Sequence, residues 1–145
     1  MSRGLVVTID GAAGTGKSTA ARRLARELGW QFLDTGAMYR AAALAMLEAG
    51  EDPADSAAAA ARVQSIRVDF DWAASPPEIR LDGRGVGHRI RDLDVSAAAS
   101  AIAIHPTVRE RLKQLQREVA ASCEGLVSEG RDQGSVVFPD ALVRF

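Results

Sequence analysis

Leu5-Val6-Val7-Thr8-Ile9-Asp10-Gly11-Ala12-Ala13-Gly14-Thr15-Gly16-Lys17-Ser18 joins a short apolar, β-branched run to a glycine-rich octet. The first part has the pattern of a buried parallel strand. Gly11 to Ser18 fits G-x-x-x-x-G-K-[ST]. Phosphates are held by a row of backbone N–H groups, and glycines let a loop turn those groups inward without side-chain clashes. A helix opening near Lys17 adds its unpaired N–H groups and the positive end of its dipole. Lys17 is placed to reach the β- and γ-phosphates of a nucleoside triphosphate, and the Ser18 hydroxyl to ligate Mg²⁺. Of the 18 basic residues only Lys17 and Lys113 are lysine, so background composition does not explain a lysine at this position.

Beyond the loop, helical spacing runs to about Leu28. Ala20, Ala21, Leu24, Ala25 and Leu28 fall on the inner face, with Arg22, Arg23, Arg26 and Glu27 outside. Gly29 stands where a glycine ends a helix. Trp30-Gln31-Phe32-Leu33 reads as a second strand, and after Asp34-Thr35-Gly36 a helix is expected from about Ala37 to Ala49. Asp55 to Val63 is a third, alanine-rich helix. The period then changes. Ile66, Val68, Phe70 and Trp72 alternate with polar or small neighbours, Ile79 and Leu81 do likewise, and Asp82-Gly83 marks a turn. Residues 64–92 therefore read as a small antiparallel β insert between a first core part, 1–63, and its continuation, 93–145. In that continuation Asp94 is expected to cap a helix reaching about Ala103. Pro106 opens another, with Val108, Leu112, Leu115 and Val119 as its apolar stripe. Gly125-Leu126-Val127-Ser128-Glu129 and Leu142-Val143-Arg144-Phe145 read as further strands. Successive strand–turn–helix units predict an α/β fold with a doubly wound parallel sheet, incomplete because the chain stops within its last strand.

A formal net charge of -1 over 145 residues gives no global basic field for nucleic acid or an anionic membrane surface. No apolar run approaches the roughly 20 residues of a membrane-spanning helix. The first residues lack a signal-peptide layout, so a cytoplasmic location is expected. Cys123 is the single cysteine, which excludes a disulfide framework; it reads as a small buried hydrophobe. His88 and His105 read as surface or loop histidines that no motif recruits. Arg84, Arg89 and Arg91 read as decoration of the β insert.

Two longer motifs carry a resemblance. Asp34-Thr35-Gly36-Ala37-Met38-Tyr39-Arg40 resembles the bacterial cytidylate kinase segment Asp-[Ser/Thr]-Gly-Ala-hydrophobic-Tyr-Arg. Glu129-Gly130-Arg131-Asp132-Gln133-Gly134-Ser135-Val136-Val137-Phe138-Pro139-Asp140-Ala141 resembles that family's Gly-Arg-Asp-x-Gly-[Thr/Ser]-Val-Val-Phe-Pro-Asp-Ala stretch. The match keeps one register from Val6 to the last residue and includes the insert, which resembles the family's enlarged nucleoside-monophosphate domain. The resemblance implies a P-loop nucleoside monophosphate kinase that moves the γ-phosphoryl group of ATP onto CMP or dCMP, with Mg²⁺ carried on ATP.

The resemblance also implies roles for individual residues. Gly11, Ala12, Ala13, Gly14, Thr15, Gly16, Lys17, Ser18 and Thr19 would bind ATP, with Ser18 on the metal. Thr35, Arg40, Ser100, Arg109, Arg131 and Asp132 would bind CMP, and Lys17, Arg40 and Arg131 would be catalytic. Arginine suits the acceptor phosphate because its planar fork binds phosphate oxygens bidentately. Thr35 follows a strand's carboxyl end, and its hydroxyl is placed to bond a phosphate or sugar oxygen. An ionised Asp132 accepts and Arg109 donates, a polarity that suits cytosine and not uracil. Asp10 and Asp34 either orient the loops or touch Mg²⁺ through water. ATP and CMP or dCMP are the expected partners, with no nucleic acid, no membrane and no obligate protein partner, and a monomer at full length. The arginine-bearing lid of such kinases lies beyond Phe145, so the isolated chain is expected to be weak or inactive. Other readings are a different small P-loop kinase and a nucleotide-binding fragment without turnover.

Overall fold

The computed structural model describes residues 5–11, 17–74, 77–130 and 133–144. In chain order the elements are β1 (Leu5–Asp10), α1 (Lys17–Leu28), β2 (Gln31–Asp34), α2 (Thr35–Glu48), α3 (Ser56–Ser65), β3 (Val68–Asp71), β4 (Glu78–Leu81), β5 (Arg84–Gly85), α4 (Leu93–Ile102), α5 (Pro106–Ala121), β6 (Gly125–Gly130) and β7 (Val143–Arg144). A 3₁₀ turn spans Arg89–Arg91 and a π-type turn spans Gln133–Val137. Contacts divide the chain into two units. One comprises the residues up to Thr35 with those from Gln116 onward; the other is Gly36–Leu115.

The first unit holds a four-stranded parallel sheet in the order β2-β6-β1-β7. β1 and β6 pair along their whole length, from Leu5 opposite Gly125 to Asp10 opposite Gly130. The α/β fold with a parallel sheet that the sequence predicts is thus present. Val7 and Val127 pack with Ala21 and Ala25 of α1, and Ile9, Leu24, Trp30 and Phe32 close around them. The Arg22 guanidinium lies 4.7 Å from the centre of the Phe32 ring, a cation–π contact that shields the edge of this core. The buried stripe of α1 is narrower than its sequence suggests, because Ala20 and Leu28 are exposed. Ala20 sits a quarter-turn off the stripe, and Leu28 is the final helical residue, at the limit of what the sheet covers. Gly29 follows with φ of 68°, the left-handed stop that glycine allows.

The second unit combines helices with a three-stranded antiparallel sheet in the order β3-β4-β5. α2 buries Met38, Ala41, Ala42, Ala43, Leu44, Ala45 and Met46, as an almost uniformly apolar helix must. It starts at Thr35, two residues before the expected Ala37. Asp55 caps α3, its Oδ1 accepting from the backbone N–H groups of Ala57 and Ala58, both at 3.1 Å. Asp82 and Gly83, with φ of 50° and 83°, form the expected turn of the small sheet. Phe70 and Trp72 stack with ring centres 4.7 Å apart, although Trp72 lies just past β3.

Two expectations need correction here. Asp94 does not begin α4; the helix starts at Leu93, and the Asp94 carboxylate is held by the Arg89 fork at 2.7 and 2.8 Å. That arginine lowers the Asp94 carboxyl to about 2. His105 needs only half a correction: of its two readings, surface or loop, it is a loop residue between α4 and α5, but a buried one, with Nε2 2.9 Å from the Pro53 carbonyl oxygen. On α5 the stripe Val108, Leu112, Leu115 and Val119 is buried as its spacing predicts. Cys123 is buried, and burial pushes its thiol above the ordinary value. No helix among the described residues is long and apolar enough to cross a membrane.

Two sites in the parallel sheet test this account of its core. A Cβ at Gly125 would land within the Trp30 indole, so Gly125→Ala should destabilise the fold by about 1–3 kcal/mol in denaturant titrations. Thr8 is fully buried, and among the described residues its hydroxyl has no hydrogen-bond partner. Thr8→Val should therefore stabilise by about 1 kcal/mol, seen as a melting point raised by a few degrees.

Candidate functional site

Three chain segments that carry sequence motifs leave the parallel sheet from one edge. β1 ends at Asp10, immediately before Gly11; β2 ends at Asp34, before Thr35; β6 ends at Gly130, before Arg131. The register places these ends side by side, with Asp34 opposite Glu129 and Asp10 opposite Gly130. The carboxyl edge of a parallel sheet is where open α/β folds bind ligands, because each strand there gives way to a loop or a helix N-terminus. Lys17 and Ser18 open α1, as the phosphate-loop reading requires. Ala12 to Gly16, Arg131 and Asp132 lie outside the described residues.

Asp10 is the hub of this edge. Its Oδ1 accepts from the Gln133 backbone N–H at 2.7 Å and its Oδ2 from that of Gly134 at 2.9 Å. Of the two roles read from the sequence, orientation of the loops is the one that the geometry displays. The turn from Gln133 has further anchors. The buried Gln133 side chain accepts from the Ser128 hydroxyl at 2.6 Å and donates to Gln116 Oε1 at 3.3 Å. Arg144 donates to the Gly134 carbonyl at 3.1 Å, and Arg117 to those of Val136 and Val137 at 3.0 and 2.8 Å. Buried polar groups persist when each finds a partner, and here they fasten a short, five-residue π-type turn to the sheet and α5.

Thr35, the first residue of α2, is buried, and its hydroxyl donates to the Glu129 carbonyl at 3.0 Å. Its proton is therefore committed to the main chain, leaving the oxygen's lone pairs to accept. Gly130 sits so close to this hydroxyl that a side chain there would collide with Thr35 Oγ1. In the second unit, Arg40 is half-buried on α2, and Arg109 and Ser100 are exposed on α5 and α4. The Ser100 hydroxyl donates to the Ser96 carbonyl at 3.3 Å. Tyr39 and Arg109 are brought within electrostatic reach: burial raises the Tyr39 hydroxyl's pKa and the Arg109 charge opposes the rise. Arg84 and Arg89 are engaged by Glu48 and by Asp92 with Asp94, so neither extends unopposed from the insert.

The roles of Gln116, Ser128 and Gln133 were not read from the sequence. Their contact joins a helix, a strand and a turn, and no local pattern announces it. A polar residue at the inner face of α5 and another within the apolar strand Gly125–Gly130 are the only signals. A groove of about 460 Å³, lined by Leu5, Ala120, Phe138 and Leu142 among others, opens by the start of β1 rather than at its carboxyl end.

The cytidylate kinase family model matches residues 7–145. The cytidylate kinase of Mycolicibacterium paratuberculosis is 49% identical over 144 residues, covering 99% of this chain and 63% of that protein. That of Bordetella pertussis is 47% identical over 139 residues, covering 96% and 60%. That of Limosilactobacillus reuteri is 43% identical over 144 residues, covering 99% and 63%. The chain thus spans about three-fifths of the length of these relatives. A phosphate loop, an Asp-Thr-Gly segment and a Gly-Arg-Asp segment issue from one sheet edge, and both the family model and these relatives run through all three: the chain belongs to the cytidylate kinase family.

Proposed function

We propose that this chain carries the phosphate loop and much of the acceptor site of an ATP-dependent kinase that phosphorylates CMP and dCMP, giving ADP with CDP or dCDP. The observation that carries the reading is the convergence of the strand ends at Asp10, Asp34 and Gly130, which start the phosphate loop and the two acceptor motifs. Family membership supports the choice of nucleotide.

On this reading catalysis is positioning and electrostatics. The backbone N–H groups from Gly11 to Thr19 hold the ATP phosphates, and Lys17 neutralises charge on the β- and γ-oxygens. Among the described residues no group of three or more His, Cys, Asp or Glu side chains could form a protein-only metal cage. The donor set fits Mg²⁺ borne on the nucleotide phosphates with the Ser18 hydroxyl as its protein ligand. When bound, the ion draws charge from the phosphate oxygens. Arg40 and Arg131 hold the acceptor phosphate so that its oxygen lies in line with the transferred group. Thr35 lines the strand end; with its proton on the Glu129 carbonyl, its hydroxyl oxygen suits a sugar hydroxyl donor and not a phosphate oxygen. Ser100, Arg109 and Asp132 read the base. Asp132 accepts from the cytosine amino group and Arg109 donates to a ring acceptor, whereas uracil would leave both without complementary partners. A cytoplasmic, monomeric enzyme without nucleic-acid partners completes the proposal.

ADP release with ATP-Mg²⁺ and, in turn, CMP, dCMP, UMP and AMP tests it, on this chain and on a form extended to the length of its relatives. CMP and dCMP should be preferred to UMP by a factor below ~10⁴ in kcat/KM. Preference for another monophosphate would overturn the cytosine reading while leaving the phosphate loop intact. Lys17→Ala should lower kcat by at least about a hundredfold; turnover near that of the parent protein would refute its role.

A further inference from the structure

The Gln133–Val137 turn follows directly on Arg131-Asp132, the pair assigned to the acceptor phosphate and the base. Its own π-type bonding includes the Phe138 N–H to the Gln133 carbonyl at 2.7 Å, and it is also fastened from outside by Asp10, Gln116, Arg117, Ser128 and Arg144. Four of these anchors act on one side chain or on carbonyl oxygens. Asp10 alone takes the two consecutive backbone N–H groups that begin the turn, one on each carboxylate oxygen. Its partners stand more than a hundred residues away in sequence, and Asp10 is itself the residue before Gly11, the first of the phosphate loop. One carboxylate therefore joins the start of the donor loop to the end of the acceptor motif.

The chemistry at that point is selective. Two N–H donors aimed at one site call for an acceptor with two oxygens and no proton, which an ionised carboxylate provides and an amide does not. Asparagine would keep one acceptor and turn an N–H donor toward the other N–H. Space there is also tight. A Cβ on Gly134 would come within 2.8 Å of both Thr8 Oγ1 and the Arg144 side chain, so the backbone there packs too closely for a side chain.

We infer that Asp10 is a positioning residue for acceptor recognition: it clamps the N–H groups of Gln133 and Gly134, the two residues that follow Arg131 and Asp132 in the sequence. The inference rests on the cytidylate kinase reading above. It assigns Asp10 to the acceptor although its place in the sequence is beside the donor loop.

The test is Asp10→Asn in the form extended to the length of the relatives, compared with that extended parent chain by calorimetric titration of CMP and of ATP-Mg²⁺ and by amide NMR spectra. The parent should show downfield, slowly exchanging Gln133 and Gly134 amide protons, as bonds to a carboxylate require. In the variant these two signals should move upfield and the CMP dissociation constant should rise about tenfold, while that for ATP-Mg²⁺ changes less than about threefold. Amide signals that stay in place, unchanged CMP affinity, or equal loss of both nucleotides would overturn the inference. If the variant does not fold, fast exchange of both amides in the parent chain would overturn it as well. A parent chain that binds ATP-Mg²⁺ but no CMP would overturn the functional reading and the acceptor role with it. That failure is visible before any substitution and so is distinct from a failure of the clamp.

Discussion

Parallel pairing of β1 with β6 is the constraint on which the remaining arrangement depends. These strands are distant in sequence, and their six-residue register carries Asp10 and Gly130 to the same level. The hydrophobic effect supplies the reason for the pairing, since Val7 and Val127 are buried together with Ala21 and Ala25 of α1. Hydrogen bonding supplies its precision, because every residue of a central strand must find partners on both sides. A shift of one residue would turn Val127 from the α1 face and break the alignment of the strand ends.

From that register follows the chemistry of the edge. Strand ends in a parallel sheet leave N–H groups and loops pointing the same way, which suits anionic ligands. The protein then has to fix loops that lack regular ladders. It does so with polar side chains buried where their partners are: the Asp10 carboxylate, the Thr35 hydroxyl and the Gln116–Gln133–Ser128 set. Such bonds add little net stability when satisfied but cost much when broken, so they specify one loop geometry rather than strengthen the fold at large. The second unit uses other means. Its helices are nearly all apolar within, and charged pairs such as Arg84 with Glu48 and Arg89 with Asp94 remain at the surface, where they contribute little to stability.

Much of this was legible in the sequence, and for local reasons. The strand–glycine loop–helix opening, the stops at Gly29 and Gly50, the Asp82-Gly83 turn and the stripe of α5 are all short-range patterns, and each is present. Family membership was legible too, because two long motifs keep their order and separation. The errors lie where a side chain answers to a distant partner. Asp94 has a cap's composition but is held by Arg89. His105 is the loop residue it reads as, but it is buried against the Pro53 carbonyl instead of facing outward. Thr35 reads as part of a loop but begins a helix, with its hydroxyl bonded across to β6.

The sequence by itself determined that a Gly-x-x-x-x-Gly-Lys-Ser octet follows the first strand and that Asp-Thr-Gly and Gly-Arg-Asp segments follow the second and sixth, since glycine spacing and residue chemistry are written along the chain. Only the tertiary structure decided that Asp10, placed by its sequence with the donor loop, bonds the turn that ends the acceptor motif. It likewise placed a second glutamine beside Gln133 in the interior. The physical reason is that a hydrogen bond between residues more than a hundred positions apart leaves no local trace. It exists once sheet register has brought the strand ends together and burial has removed the competing water.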